Sequence, residues 1–189
     1  EPIHKEQGAI WYSQEYSWCE QLAKETGVYI DRVAYAVAVT SNNIRWEKQK
    51  ALSKDFILWI KYGNEPTGFK RGIIDRCAIK AAEIILYGNI SACSGPKVNA
   101  FARNLLGEKD SVTVDRWSLW VALGRVVSEQ LTSSWVRPGS RRRAVEAAYH
   151  EAAYQLGMDV STLQAITWLY AREGLFDEVP AYEGVQGTT

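Results

Sequence analysis

The chain has 189 residues, 47% of them hydrophobic, and its 22 basic and 22 acidic side chains cancel to a formal net charge of zero. That length supports one well-buried core and is short for two ordinary domains, while the neutral balance excludes a protein that holds nucleic acid by overall basicity, so such a role must rest on a local patch. Eight Trp and ten Tyr are a heavy aromatic load, and such rings serve a core or, when exposed, stack on bases or sugars.

Glu1 is not a natural start residue, so an initiator Met or a longer leading segment is expected to be missing. Residues 1–8 lack the basic and apolar regions of a secretory signal, and no apolar run approaches the roughly 20 residues of a membrane span. A soluble, cytoplasmic protein with no membrane partner is expected. Cys19, Cys77 and Cys93 form no CxxC pair, so neither a zinc ribbon nor a disulfide framework can be read from them and reduced thiols are expected.

In chain order, Ile10 to Thr26 places Ile10, Trp11, Trp18, Leu22 and Ala23 largely at helical spacing, with Gly27 as a C-cap. Asp31 can cap a second helix whose stretch Val33 to Val39 is apolar on every side, hence central; a buried strand is the alternative. After the polar break at Ser41-Asn42-Asn43, Trp46 to Tyr62 reads as an amphipathic helix with Leu52, Phe56, Trp59 and Ile60 on one side, ended by Gly63. A turn with Pro66 and Gly68 leads to a helix from about Gly72 to Tyr87, stopped by Gly88.

A connector, Asn89 to Ser94, precedes Gly95-Pro96, where proline suits the first position of a helix reaching about Leu106. Ser111 to Val114 is extended in character, and Asp115 stands as N-cap of a helix containing Trp117, Trp120, Leu123 and Val127. Arg137-Pro138-Gly139-Ser140-Arg141-Arg142-Arg143 breaks the chain; Ala144 to Leu156 and Val160 to Glu173 read as two more helices. The reading is an all-α, compact multi-helix single domain over residues 1–176 with a tail over 177–189.

The chemistry concentrates between Gly88 and Trp117. A helix beginning Gly95-Pro96-Lys97-Val98 offers outward N–H groups that suit a phosphate, and Lys97 in its first turn faces the positive end of the helix dipole, which favours a neutral amine nucleophile. Asp115 follows eighteen positions later, beyond a short extended loop.

The run Gly95-Pro96-Lys97-Val98 with Ala100 and Phe101, the loop Leu106 to Lys109, and Val112-Thr113-Val114-Asp115 resemble the helix-hairpin-helix and following aspartate of the endonuclease III-like DNA glycosylases. The resemblance implies a glycosylase-like fold with a helix-hairpin-helix element and catalytic Lys97 and Asp115. Lys97 would attack the anomeric carbon and form a Schiff base, and Asp115 would stabilise positive charge on the sugar. Val33 to Asn43 resembles more loosely the family helix whose polar end fills the space left by an extruded nucleotide, a place for Asn43, with Asn42 facing the base. The hairpin departs from the family's Leu-Pro-Gly-Val-Gly, reading Ser91-Ala92-Cys93-Ser94-Gly95, and no cysteine follows Cys93, so no iron–sulfur cluster is expected. Segments around Val112 to Trp117 and Leu163 to Trp168 also resemble small phage-encoded relatives proposed to act on hypermodified thymidines.

Each functional reading has a plainer rival. A lone lysine is usually solvated, Asp115 can be only an N-cap, and a charged run is usually a solvated face. On the functional side, Trp46 and Gln164 join Asn42 and Asn43 as substrate-binding candidates, and Gly95, Arg137, Arg141, Arg142 and Arg143 are candidates for the DNA backbone. Trp117, Trp120, Trp135 and Trp168 are expected to fill the core, and no metal or cofactor is called for. Three functions stay open: a DNA glycosylase with lyase activity, a transferase acting on modified thymine in phage DNA, and a non-enzymatic helical module binding nucleic acid or protein. Oligomeric state is not legible.

Overall fold

A computed structural model describes residues 2–41, 45–63, 75–93 and 95–172. Among the described residues the protein is all-helical, with no strand: α1 (Pro2–Thr26), α2 (Ile30–Thr40), α3 (Trp46–Tyr62), α4 (Asp75–Tyr87), α5 (Pro96–Leu105), α6 (Arg116–Leu123), α7 (Glu129–Val136), α8 (Ser140–Leu156) and α9 (Val160–Tyr170). Within the stretch read as one helical domain these residues group into two compact units, Tyr12–Ser111 and the described parts of Glu1–Trp11 with Val112–Thr189. The tail over 177–189 lies outside the described residues.

In the Tyr12–Ser111 unit, α2 packs against α3, α4 and α5. It can do so because its apolar side chains go all the way round and several are alanine, so neighbours approach closely; Val33, Ala34, Ala36 and Val37 are at most 1% exposed. The α3 stripe is rotated from the expected one. Gln49, Ser53, Phe56 and Ile57 are buried, while Leu52, Trp59 and Ile60 are only half-buried. Two polar residues join that stripe because they satisfy each other: Gln49 Nε2 donates to Thr40 Oγ1 of α2 at 3.1 Å and to Ser53 Oγ at 2.9 Å, so burial leaves their donors paired.

In the other unit, α6, α7, α8 and α9 pack together around Val112, Val114, Leu119, Val145, Tyr149, Val160 and Leu163. Two boundaries differ from the sequence reading. Gly124 adopts φ 64, ψ 18 and closes α6, a left-handed conformation that favours glycine, so Val127 lies outside α6 and a further helix, α7, opens at Ser128, whose side chain accepts from Leu131 N. The α8 helix starts at Ser140, placing Arg141, Arg142 and Arg143 in its first turn. Helix α1 also begins well before Ile10, and Gly8 explains the fit: a Cβ there would meet Ile166 Cα of α9 at 2.5 Å.

Residues 112–114 cross this core at 4%, 7% and 0% exposure, bent by a γ-turn in which Val114 N–H donates to Val112 O at 3.0 Å. With no strand beside them, their backbone groups need other partners. Gln164 of α9 supplies a peptide-like clamp: Thr113 N–H donates to Gln164 Oε1 at 2.9 Å and Gln164 Nε2 donates back to Thr113 O. Arg142 of α8 takes the flanking carbonyls, Nη2 donating to Val112 O and Nη1 to Val114 O, each at 3.4 Å. Replacing the clamp with Gln164→Leu takes the partner of the buried Thr113 N–H and one of the two donors to Thr113 O, Ser118 Oγ remaining at 3.3 Å. The expected cost is about 1–3 kcal/mol, read as a lower urea midpoint at unchanged m; a midpoint equal to that of the unaltered protein would refute the clamp's role.

Candidate functional site

Lys97 belongs to the Tyr12–Ser111 unit and Asp115 to the other. Upstream of Lys97, α4 ends before Gly88, and Arg32 of α2 donates from Nη1 to Ile85 O in its last turn at 3.2 Å, a cation at a helix C-terminus where carbonyls lack partners. The connector makes one turn of 3₁₀ helix at Ile90–Ala92. Cys93 is buried in the core cluster, and Asn99 of α5 reaches back, Nδ2 donating to Cys93 O at 2.9 Å and to Gly95 O at 3.1 Å. Gly95 is the N-cap in extended conformation, without a side-chain cap, and Pro96 opens α5. Lys97 stands exposed in the first turn. The connector is thus tied down from both helices while the lysine is left in solvent.

The thiols offer no rival nucleophile in this unit's interior. Burial pushes the Cys93 thiol up to about 11 and that of Cys19 up to about 12, far from thiolate at neutral pH.

Asp115 is held by its own helix. Its Oδ1 accepts from Ser118 N at 2.9 Å, and Ser118 Oγ accepts from Asp115 N at 2.7 Å, a reciprocal capping box. Ser118 is fully buried, so the box anchors the helix start to the end of the buried 112–114 segment. The other carboxylate oxygen takes no part in the box, and the residue is half-buried, so capping and chemistry are compatible there.

Several expected contacts resolve differently. Gln164 is 4% exposed with both ends of its amide engaged by Thr113, so it serves the interior of this unit and is not open to a base. Arg142 is 3% exposed; beyond the carbonyls of Val112 and Val114 its Nη1 donates to Val136 O at 3.3 Å and its Nε to Glu146 Oε1 at 2.8 Å. It is not among the side chains open to a phosphate, whereas Arg137, Arg141 and Arg143 are exposed. Trp46 packs edge-on against Trp18 at 6.4 Å and Phe101 at 5.7 Å, joining α3 to α1 and α5. Trp117 and Trp120, expected in the core, are half-buried and meet edge to face at 5.1 Å. Asn42 and Asn43 lie outside the described residues.

A family model covers residues 1–175, described as a family of unknown function, DUF7178. The chain belongs to the DUF7178 family. No curated protein and no solved structure matches it.

In this DUF7178 chain the sequence reading missed Glu15, Asn99 and Ser118. Glu15 is 5% exposed; burial raises its pKa, opposed by the Trp46 indole N–H and Lys50, whose Nζ lies 3.5 Å from Glu15 Oε1. Its spacing from Trp11, Trp18 and Leu22 was visible, but a carboxylate among aromatics reads as an exposed position. Ser118 was visible as the N3 residue after an Asx cap, a box position usually filled by glutamate or glutamine. The box yields a test that separates cap from charge. Asn caps as well as Asp, so Asp115→Asn is expected to retain stability, and Asp115→Ala to lose about 1 kcal/mol in urea unfolding. Equal losses in both variants would mean that the carboxylate's charge, not its cap, holds this helix.

Proposed function

We propose that the chain is a DNA base-processing enzyme of the glycosylase and abasic-site lyase type, with a helix-hairpin-helix element formed by α4, its connector and α5. One observation carries the reading: an exposed lysine in the first turn of a proline-opened helix and, eighteen positions on, an aspartate opening the next helix after a buried segment, the pattern by which the chain resembles endonuclease III-like glycosylases. In this reading the neutral Lys97 amine attacks the anomeric carbon of a flipped nucleotide: a bond forms between Nζ and C1′ as the bond to the base breaks, and its electron pair leaves with the base, which takes up a proton. After Nζ loses one proton, the sugar ring opens with a proton taken up at the ring oxygen, giving a protonated imine. Asp115 stabilises the positive charge on the sugar as the base departs.

A second reading rests on the connector, where Ser91-Ala92-Cys93-Ser94-Gly95 replaces Leu-Pro-Gly-Val-Gly: the same residues would bind a modified thymine in phage DNA and transfer an amine to it, without sugar chemistry. Borohydride separates the two, because it reduces the imine to a stable amine. Incubation with abasic-site and modified-base DNA plus borohydride is expected to give a covalent protein–DNA adduct that disappears in Lys97→Ala and falls at least tenfold with modified-base DNA in Asp115→Asn. If no adduct forms on any of these substrates, or if Lys97→Ala traps as well as the unaltered protein, the lyase mechanism is wrong.

A further inference from the structure

No lysine follows Lys109 in the chain; every cation from Val112 to Arg172 is arginine, apart from histidine. Arginine differs from lysine in taking phosphate through paired N–H groups and in stacking by its plane. The buried Arg142 gathers these residues: its Nη1 donates to both Val114 O and Val136 O, at 3.4 and 3.3 Å. Arg116, two residues beyond Val114, Arg137, next to Val136, and Arg141 and Arg143, on either side of Arg142 in α8, therefore spring from the same part of one unit, and all four are exposed. Arg141 is steadied by Nη1 donating to Ser134 Oγ at 2.9 Å. The carboxylates nearest in the chain are engaged, Asp115 by Ser118 N and Glu146 by Arg142 Nε. The first turn of α8 holds three arginines, no acid and no side-chain cap, an arrangement that the helix dipole opposes unless an anion is present.

Arg116 also lies over an aromatic pair. Trp117 and Trp120 are half-buried and meet edge to face at 5.1 Å, with the Arg116 guanidinium 5.1 and 5.5 Å from their ring centroids.

We propose that this face binds single-stranded nucleic acid, with Arg137, Arg141 and Arg143 on backbone phosphates and the Arg116–Trp117 pair receiving an unpaired base. A duplex keeps its base faces stacked, and an acidic peptide brings charge without planes; both lack the half of the fit that the tryptophans supply. The inference rests on the nucleic-acid part of the proposed function but requires neither Lys97 nor Asp115 as a reagent.

Fluorescence anisotropy with labelled oligothymidine of about 15 nucleotides, within the range of single-strand sites, tests it. Oligothymidine is expected to bind at least tenfold tighter than a duplex of equal length and than polyglutamate, and to quench tryptophan fluorescence. The triple variant R137A/R141A/R143A is expected to weaken binding at least tenfold and to reduce the salt slope by about two, near 0.7 for each phosphate contact. Trp117→Ala, with its helical circular dichroism intact, is expected to weaken single-strand binding several-fold at an unchanged salt slope. Absence of binding, equal binding of duplex or polyglutamate, or indifference to either variant overturns the proposal. If borohydride traps nothing while oligothymidine shows the expected pattern, the lysine chemistry falls and this surface stands.

Discussion

A buried stretch of irregular backbone must hydrogen-bond its N–H and C=O groups inside the protein or forfeit those bonds, and beyond the Val114 N–H to Val112 O bond Val112-Thr113-Val114 finds its partners on the side chains of two helices. Gln164 presents an amide to Thr113 as a neighbouring strand would present a peptide group. Arg142 spreads its guanidinium over the carbonyls on either side. Because both partners are rooted in helices, the segment cannot be kept in place without also orienting α8 and α9. Ser118 adds a third tie, its Oγ donating to Thr113 O at 3.3 Å while closing the box with Asp115. The position of Asp115 follows from these bonds, as does the convergence of the arginines around Val114 and Val136.

The Tyr12–Ser111 unit is organised differently. Its centre is an apolar helix, α2, and its polar interior consists of groups that answer one another across helix faces. Thr40, Gln49 and Ser53 close on themselves, and Asn99 pins the connector carbonyls ahead of Lys97. Glu15 is the costly member. Its carboxyl is raised by burial, so the neutral form is favoured in the folded unit, and its ionisation weighs against stability increasingly as pH rises through that raised value. Lys50 and the Trp46 indole reduce that cost without cancelling it.

What was legible in the sequence was local. The apolar run of α2, the span of α3 between Trp46 and Gly63, the proline start of α5 and the aspartate cap of α6 each depend on residues within a turn or two, and each could be read from spacing and caps. The error at α6 has a local cause as well: Trp117, Trp120, Leu123 and Val127 continue at helical spacing across Gly124, so periodicity overrode the glycine and hid α7. The roles of Gln164 and Arg142 were illegible for another reason. Their partners lie 51 and about 30 positions away, and nothing in a polar side chain's neighbourhood says that it will be buried against backbone. Trp117 and Trp120, whose apolar character suggested the core, are half-buried and also carry the Arg116 guanidinium over their rings.

The account stands or falls on whether side chains replace the missing strand at Thr113. Native-state hydrogen exchange of the Thr113 amide measures this directly, since its N–H is bonded to Gln164 Oε1 and to no neighbouring strand. The account predicts exchange as slow as the amides in the middle of α8 and α9, opening only with the unit as a whole. Exchange at the rate of the exposed loop residues Lys109 and Asp110 would contradict it.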